Sequence, residues 1–210
     1  MKHVALFLLA AVAVGLAEEG NTHGDKEISV EATWHKNFLE AGGSYRFHRN
    51  LQAVGKFVRV EGLNLGLFGV GPAAQGKWRE AKWKLSGWFG AGLGKNFAGT
   101  AGGLSAEVEV GKVELTSQLT TLGLEYKGSP MEKTQHFTLL SYGEPLAEAC
   151  YRLGPLCAGI QAGWLQKRGQ TSLGGGPELK LKMGQHLQVT AGYIRGGGHG
   201  ELLLVVRFAH

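Results

Sequence analysis

The sequence predicts an all-β protein: an antiparallel up-and-down transmembrane β-barrel of about ten strands, with eight to twelve open. Three observations predict it. Past an apolar leader, most of the chain alternates apolar side chains with Gly, Ser, Thr, Gln, Lys and Glu. Successive strand side chains point to opposite faces, so each strand has one oily and one mixed face. The composition agrees: 35 of 210 residues are Gly and 19% are charged, against about 7% and 25% in ordinary domains. Abundant Gly with little charge argues against disorder, which needs high charge and low hydrophobicity. Beyond the leader no apolar run is long enough for a membrane helix, so further membrane contact falls to strands.

The leader comes first. Lys2 and His3 precede the apolar run Val4 to Ala17, and small residues (Gly15, Ala17) stand before Glu18. A basic start, a short apolar run and a small-residue exit describe a secretory signal peptide, residues 1–17. Its 14 residues fall short of the roughly 20 that cross a bilayer as a helix. Residues 18–26 read as a polar lead-in and 27–210 as one barrel domain.

Candidate strands run 27–36, 41–48, 51–70, 76–94, 103–127, 134–152, 156–168, 176–183, 186–195 and 200–208. Turn residues lie between them: His48-Arg49-Asn50, Gly71-Pro72, Gly94 to Gly103, Gly128-Ser129-Pro130, Leu153-Gly154-Pro155, Gly174 to Pro177, Met183-Gly184-Gln185 and Gly196 to Gly200. Residues 51–70 read as one long strand or as a hairpin turning at Glu61-Gly62. The oily phase shifts at Gly111-Lys112, as a bulge or a tight turn would shift it. Pro145 interrupts an otherwise single-phase run.

Alternation alone leaves open which way the oil faces, since a soluble β-barrel shows the same period. Three features turn it outward. The oily face is nearly free of charge, as in Ala81, Trp83, Leu85, Gly87, Phe89, Ala91 and Leu93. It is rich in Ala and Gly, which a soluble core would fill with larger side chains. Aromatics gather near strand ends: Trp34, Tyr45, Phe47, Tyr126, Phe137, Tyr151, Trp164, Tyr193 and Phe208. Lipid-embedded barrels carry such girdles.

The last strand, Leu202-x-Leu204-x-Val206-x-Phe208, looks like the assembly signal of the small outer-membrane β-barrel proteins of Gram-negative-type bacteria. The chain after its leader resembles that class in architecture. Here Ala209 and His210 follow the aromatic residue, where the class usually ends on it. The resemblance implies an exported protein of the outer membrane. Its partners are then outer-membrane lipid, lipopolysaccharide and the barrel-assembly machinery.

The mixed faces place Lys82, Lys84, Glu107, Glu109, Glu178, Lys180, Lys182, Arg195 and Arg207 in the lumen, with Glu114, Gln118, Gln161 and Gln188. Buried charges must pair, so these residues either plug the lumen or line a water path. Cys150 and Cys157 flank the Leu153-Gly154-Pro155 turn. With Arg152 to Pro155 as the loop they oppose one another on the mixed face, a register that permits a disulfide in an oxidising compartment. Two free buried thiols are the alternative.

Other chemistry is thinly signalled. The net charge of +5 is interleaved with acids, not gathered into a nucleic-acid footprint. Gly71 to Lys77 fits G-x-x-x-x-G-K, but Trp78 follows where a P-loop needs Ser or Thr, so the segment reads as a surface loop. The histidines are scattered and no metal or cofactor motif appears. His136 and Thr138 share a face while Ser141 falls on the other. The functional expectation is a non-enzymatic barrel, structural or a narrow passive pore. A lipid-modifying barrel enzyme and a secreted soluble barrel binding an apolar ligand are the alternatives.

Overall fold

The computed structural model describes residues 27–35, 38–60, 63–126, 137–167, 170–196 and 199–209. The proposed signal peptide and polar lead-in lie outside them. Twelve antiparallel strands fill the described residues: β1 (Glu27–His35), β2 (Phe38–His48), β3 (Leu51–Val60), β4 (Leu63–Trp78), β5 (Ala81–Gly94), β6 (Phe97–Val110), β7 (Val113–Tyr126), β8 (Phe137–Leu153), β9 (Leu156–Lys167), β10 (Gln170–Met183), β11 (Leu187–Gly196) and β12 (His199–Ala209). Each pairs with its sequence neighbour, and β1 pairs with β12 to close the ring. Closure removes every free sheet edge, which a sheet inside lipid requires.

The count exceeds ten because both ambiguous runs are hairpins. Residues 51–70 divide into β3 and β4, whose register runs from Val60↔Leu63 outward. At Gly111-Lys112 the chain turns tightly from β6 into β7, with Val110 opposite Val113. Gly111 has φ 58° and Gly154 φ 65°. Each is the first of two central residues in a hairpin loop, the pattern of a II′ turn, where a side chain would be strained.

Several expected turns are strand instead. Gly71-Pro72 lies inside β4 and Gly174 to Pro177 inside β10; the turn in Gly94 to Gly103 is Lys95-Asn96 alone. The P-loop-like segment is therefore barrel wall, not a surface loop. Pro145 sits where the β8–β9 register shifts between Gly143 and Ala147. Proline has no N–H to give a ladder, and a bulge accommodates it.

The register assigns the two faces. On the outer face Phe89, Leu104, Ile160 and Leu202 are 68%, 68%, 67% and 72% exposed. The oily run from Ala81 to Leu93 faces outward as a unit. Trp78 and Tyr151 stand exposed at one end of the barrel and Trp34 at the other. Among described residues on this face, the charged Arg59, Glu125 and Arg195 stand near strand ends. A charge at mid-bilayer costs about 2–4 kcal/mol and little near the interface. Arg195 corrects the sequence expectation. It continues the outer row of Ala191 and Tyr193 and does not line the lumen.

One end of the barrel carries Glu27, Ala209 and the turns Arg49-Asn50, Arg79-Glu80, Gly111-Lys112, Gly154-Pro155 and Gly184 to His186. It is called the turn end below.

Candidate functional site

The lumen has two unlike halves. Toward the end opposite the turn end, the inward faces of β2 to β8 are mostly apolar, broken by Glu40 and Lys56. Phe38, Val54, Val58, Leu65, Leu67, Trp88, Ala101, Leu122, Leu124 and Tyr142 form one buried cluster there. Leu67, Leu122 and Leu124 are wholly buried. The Phe38 and Tyr142 rings meet edge to face with centroids 5.3 Å apart. A round twelve-stranded ring would be roughly 23 Å across, from strand spacing and tilt. The two rings could not touch across that width, so the barrel is flattened and its walls are joined by oil.

Glycines make room for this packing. Trp88 lies against Gly103, where a Cβ would collide with the indole nitrogen. A Cβ on Gly92 would press on Leu124 at 3.2 Å.

Toward the turn end the lumen widens into a vestibule of about 690 Å³ with a charged lining. Val54, Trp88 and Thr120 form its floor against the apolar cluster. Charge alternates by sector around the wall. The register turns Glu27 and Glu31 inward from β1. Arg46, Lys56, Lys77, Lys82 and Lys84 follow on β2 to β5, with Glu40 among them. Glu107, Glu109, Glu114 and Glu148 come from β6 to β8, with Arg152. Lys180, Lys182 and Arg207 complete the ring from β10 and β12, with Glu178.

Ion pairs join the sectors, several across the lumen. Arg207 on β12 donates to Glu31 at 2.7 Å and reaches Glu107 on the facing wall at 3.8 Å. Lys84 on β5 donates to Glu27 on β1 at 2.7 Å, and Arg46 lies 3.3 Å from the same carboxylate. Lys182 donates to Glu114 at 2.6 Å. Arg152 donates to Glu109 at 3.0 Å and binds Glu114 as well. Lys56 and Glu40 pair at 2.6 Å.

The deepest group is a triad. Lys180 is 1% exposed, bonds Glu148 and lies 3.5 Å from Glu178. Its two carboxylates share one ammonium.

These positions can be set against the expected ones. Lys82, Lys84, Glu107, Glu109, Glu178, Lys180, Lys182 and Arg207 all stand on the inner face. Glu109 pairs with Arg152 and not with the three cations expected to plug the lumen. A cavity remains among the charges, and the apolar cluster lies beyond it.

Cys150 and Cys157 are bonded, but the register behind the bond differs from the expected one. The loop is Gly154-Pro155 alone, Arg152 is opposite Cys157, and Cys150 is opposite Gly159. The bond therefore runs diagonally between inward positions, with Cα atoms 5.6 Å apart. The side chains of His136, Thr138 and Ser141 lie outside the described residues.

Sequence reasoning missed Glu27, Glu31, Glu40, Arg46, Lys56, Lys77, Glu148 and Arg152, along with the whole apolar half. Lys77 was hidden in the apparent loop and Arg152 in an overlong turn. Lys56 lay in the unresolved 51–70 run.

A closed antiparallel barrel with an apolar outer face and polar groups within has the architecture of outer-membrane β-barrel proteins. Comparison with solved structures agrees. The chain is similar to the KdgM porin (TM-score 0.52, 10% identity, 87% of this chain and 98% of that one). A second structure of that porin, in complex with disordered oligogalacturonate, matches equally well. A structure described as "Unveiling the Mechanism Behind the in-meso Crystallization of Membrane Proteins" matches with TM-score 0.55, 9% identity, 89% of this chain and 83% of that one. No protein-family model and no curated protein matches the sequence. The likeness is one of fold: the chain has the barrel of outer-membrane porins.

Proposed function

We propose that the chain is an integral outer-membrane barrel of the passive-pore type, without enzymatic chemistry, whose lumen is nearly shut. The apolar band sits in outer-membrane lipid and lipopolysaccharide, placed there by the assembly machinery that reads β12. The turn end faces the periplasm, since the one long connection between strands, residues 127–136, belongs to the other end and barrels of this class carry their longer loops outside the cell. The vestibule opens there, and the apolar cluster blocks passage beyond it.

The contact between Phe38 on β2 and Tyr142 on β8 carries this reading. These strands are six apart in a ring of twelve, as distant as the ring allows. A lumen whose opposite walls touch through apolar rings gives ions no hydrated route, and hydrophobic constrictions gate pores by dewetting. A secreted soluble barrel would leave Phe89, Leu104, Ile160 and Leu202 in water, and contiguous oil of that extent is rare on soluble monomers.

Planar-bilayer recording tests the reading. The purified barrel is expected to give little or no steady current. Large, stable single-channel steps from the unmodified protein would replace the shut barrel with an open pore.

A further inference from the structure

The vestibule carries unbalanced charge, and the imbalance has an address. Eight bases and six acids line it, and their ion-pair partners Arg152, Glu148 and Glu178 bring the numbers to nine and eight. All six acids are engaged: Glu27 with Arg46 and Lys84, Glu31 and Glu107 with Arg207, Glu40 with Lys56, Glu109 with Arg152, and Glu114 with Arg152 and Lys182. Lys180 is held by Glu148 and Glu178. Among the described residues that leaves Lys77 and Lys82, neither within 4.0 Å of a carboxylate oxygen.

These two lysines are register partners. Lys77 on β4 stands directly opposite Lys82 on β5, both inward and both exposed to the vestibule. Like charges directly opposite on paired strands repel and destabilise the sheet. Glu109, the register partner of Lys82 on its other side, lies in the field of that lysine, but its ion pair is with Arg152. Glu80 lies in the turn beyond them. Next inward come Gln75 and Lys84, again directly opposed. The wall thus offers two ammonium groups outside any ion pair and an amide in a concave site, where low-dielectric walls concentrate the field.

We propose that Lys77 and Lys82, with Gln75 beside them, bind a soluble anion of two or more charges that enters from the turn end. Its class is an oxyanion of the phosphate type. One multivalent anion bridging both ammoniums removes their mutual repulsion, which two separate monovalent ions do less well. Lysine is a point charge with rotatable donors, suited to oxygens of varied geometry. The apolar floor stops the anion, so the site is a cup loaded from one side. This rests on the lumen reading above, but binding requires no current.

Isothermal titration of the detergent-folded barrel with inorganic pyrophosphate, at fixed ionic strength, tests the proposal. The expected result is saturable binding that weakens as salt rises. Lys77→Gln with Lys82→Gln together should lower affinity at least tenfold. Lys112→Gln, at the turn end but outside the vestibule lining, should leave it unchanged. Absence of saturable binding, or equal loss in the Lys112 control, overturns the site. A barrel that binds pyrophosphate yet conducts freely keeps the site and refutes the shut lumen. A silent barrel that binds none refutes the site alone.

Discussion

Phe38 and Tyr142 meet across the full width of the barrel, their ring centroids 5.3 Å apart, one from β2 and the other from β8. That contact sets the character of the lumen. Twelve strands enclose more space than eight, whose interior side chains just fill it. Here the ring is flattened where the apolar residues are, and a vestibule remains where the charged ones are.

The apolar constriction is therefore the expected barrier. Leu65 and Leu122 sit in its buried cluster. Leu65→Ala and Leu122→Ala should each cost about 2–5 kcal/mol, the usual range for a buried leucine. Combined, they should admit a measurable ion current in planar bilayers while the barrel still folds. Exchanges that remove a charge from the vestibule, such as Lys56→Gln, should not. If Lys56→Gln opened the barrel and the leucine pair did not, the seal would be the charge network after all.

Trp88 offers a local probe of the vestibule floor. Its indole occupies the space that Gly103 leaves free. Gly103→Val should drive the indole from its pocket, red-shift its fluorescence and lower stability by about 1–3 kcal/mol, the range for overpacking. An unchanged Trp88 environment, read in a variant lacking the other tryptophans, would contradict the packing described.

The buried triad makes an asymmetric prediction. Lys180→Met leaves Glu148 and Glu178 buried without their shared cation, at a cost of about 3–5 kcal/mol. Glu178→Gln keeps the Lys180–Glu148 pair and removes the surplus carboxylate, so it should cost far less. Urea unfolding of barrels in lipid vesicles would rank the two. Equal costs would mean that Lys180 does not hold the triad.

The disulfide closes a short loop between Cys150 and Cys157. Replacing both with Ser should lower stability by about 2–3 kcal/mol on the chain-entropy account. Non-reducing mass spectrometry of the native protein should show the bond, and free thiols after purification without reductant would count against it.

Much of the fold was legible because membrane barrels write their faces into alternation. The strands from Leu179 onward show it cleanly: Leu179, Leu181, Leu187, Val189, Leu202 and Leu204 point outward as the pattern requires. The apolar half of the lumen was obscured because its strands are apolar on both faces. In β4, Leu65 and Leu67 face in while Phe68 and Val70 face out. In β7 the oil changes sides, from Leu115 outside to Leu122 and Leu124 inside. That flip is visible in the sequence but reads like a strand irregularity. The Lys77–Lys82 pair needed the register across the Arg79-Glu80 turn. No one-strand pattern supplies it.

The most direct test of the account is the accessibility of single spin labels along β12. Leu202 and Leu204 face out, and Leu203 and Val205 face in. In reconstituted vesicles, labels at 202 and 204 should be quenched by a lipid-soluble agent, and those at 203 and 205 by neither a lipid-soluble nor an aqueous one. The reverse pattern, with Leu202 and Leu204 shielded in a core, would contradict a barrel that turns its oil to lipid and closes its lumen.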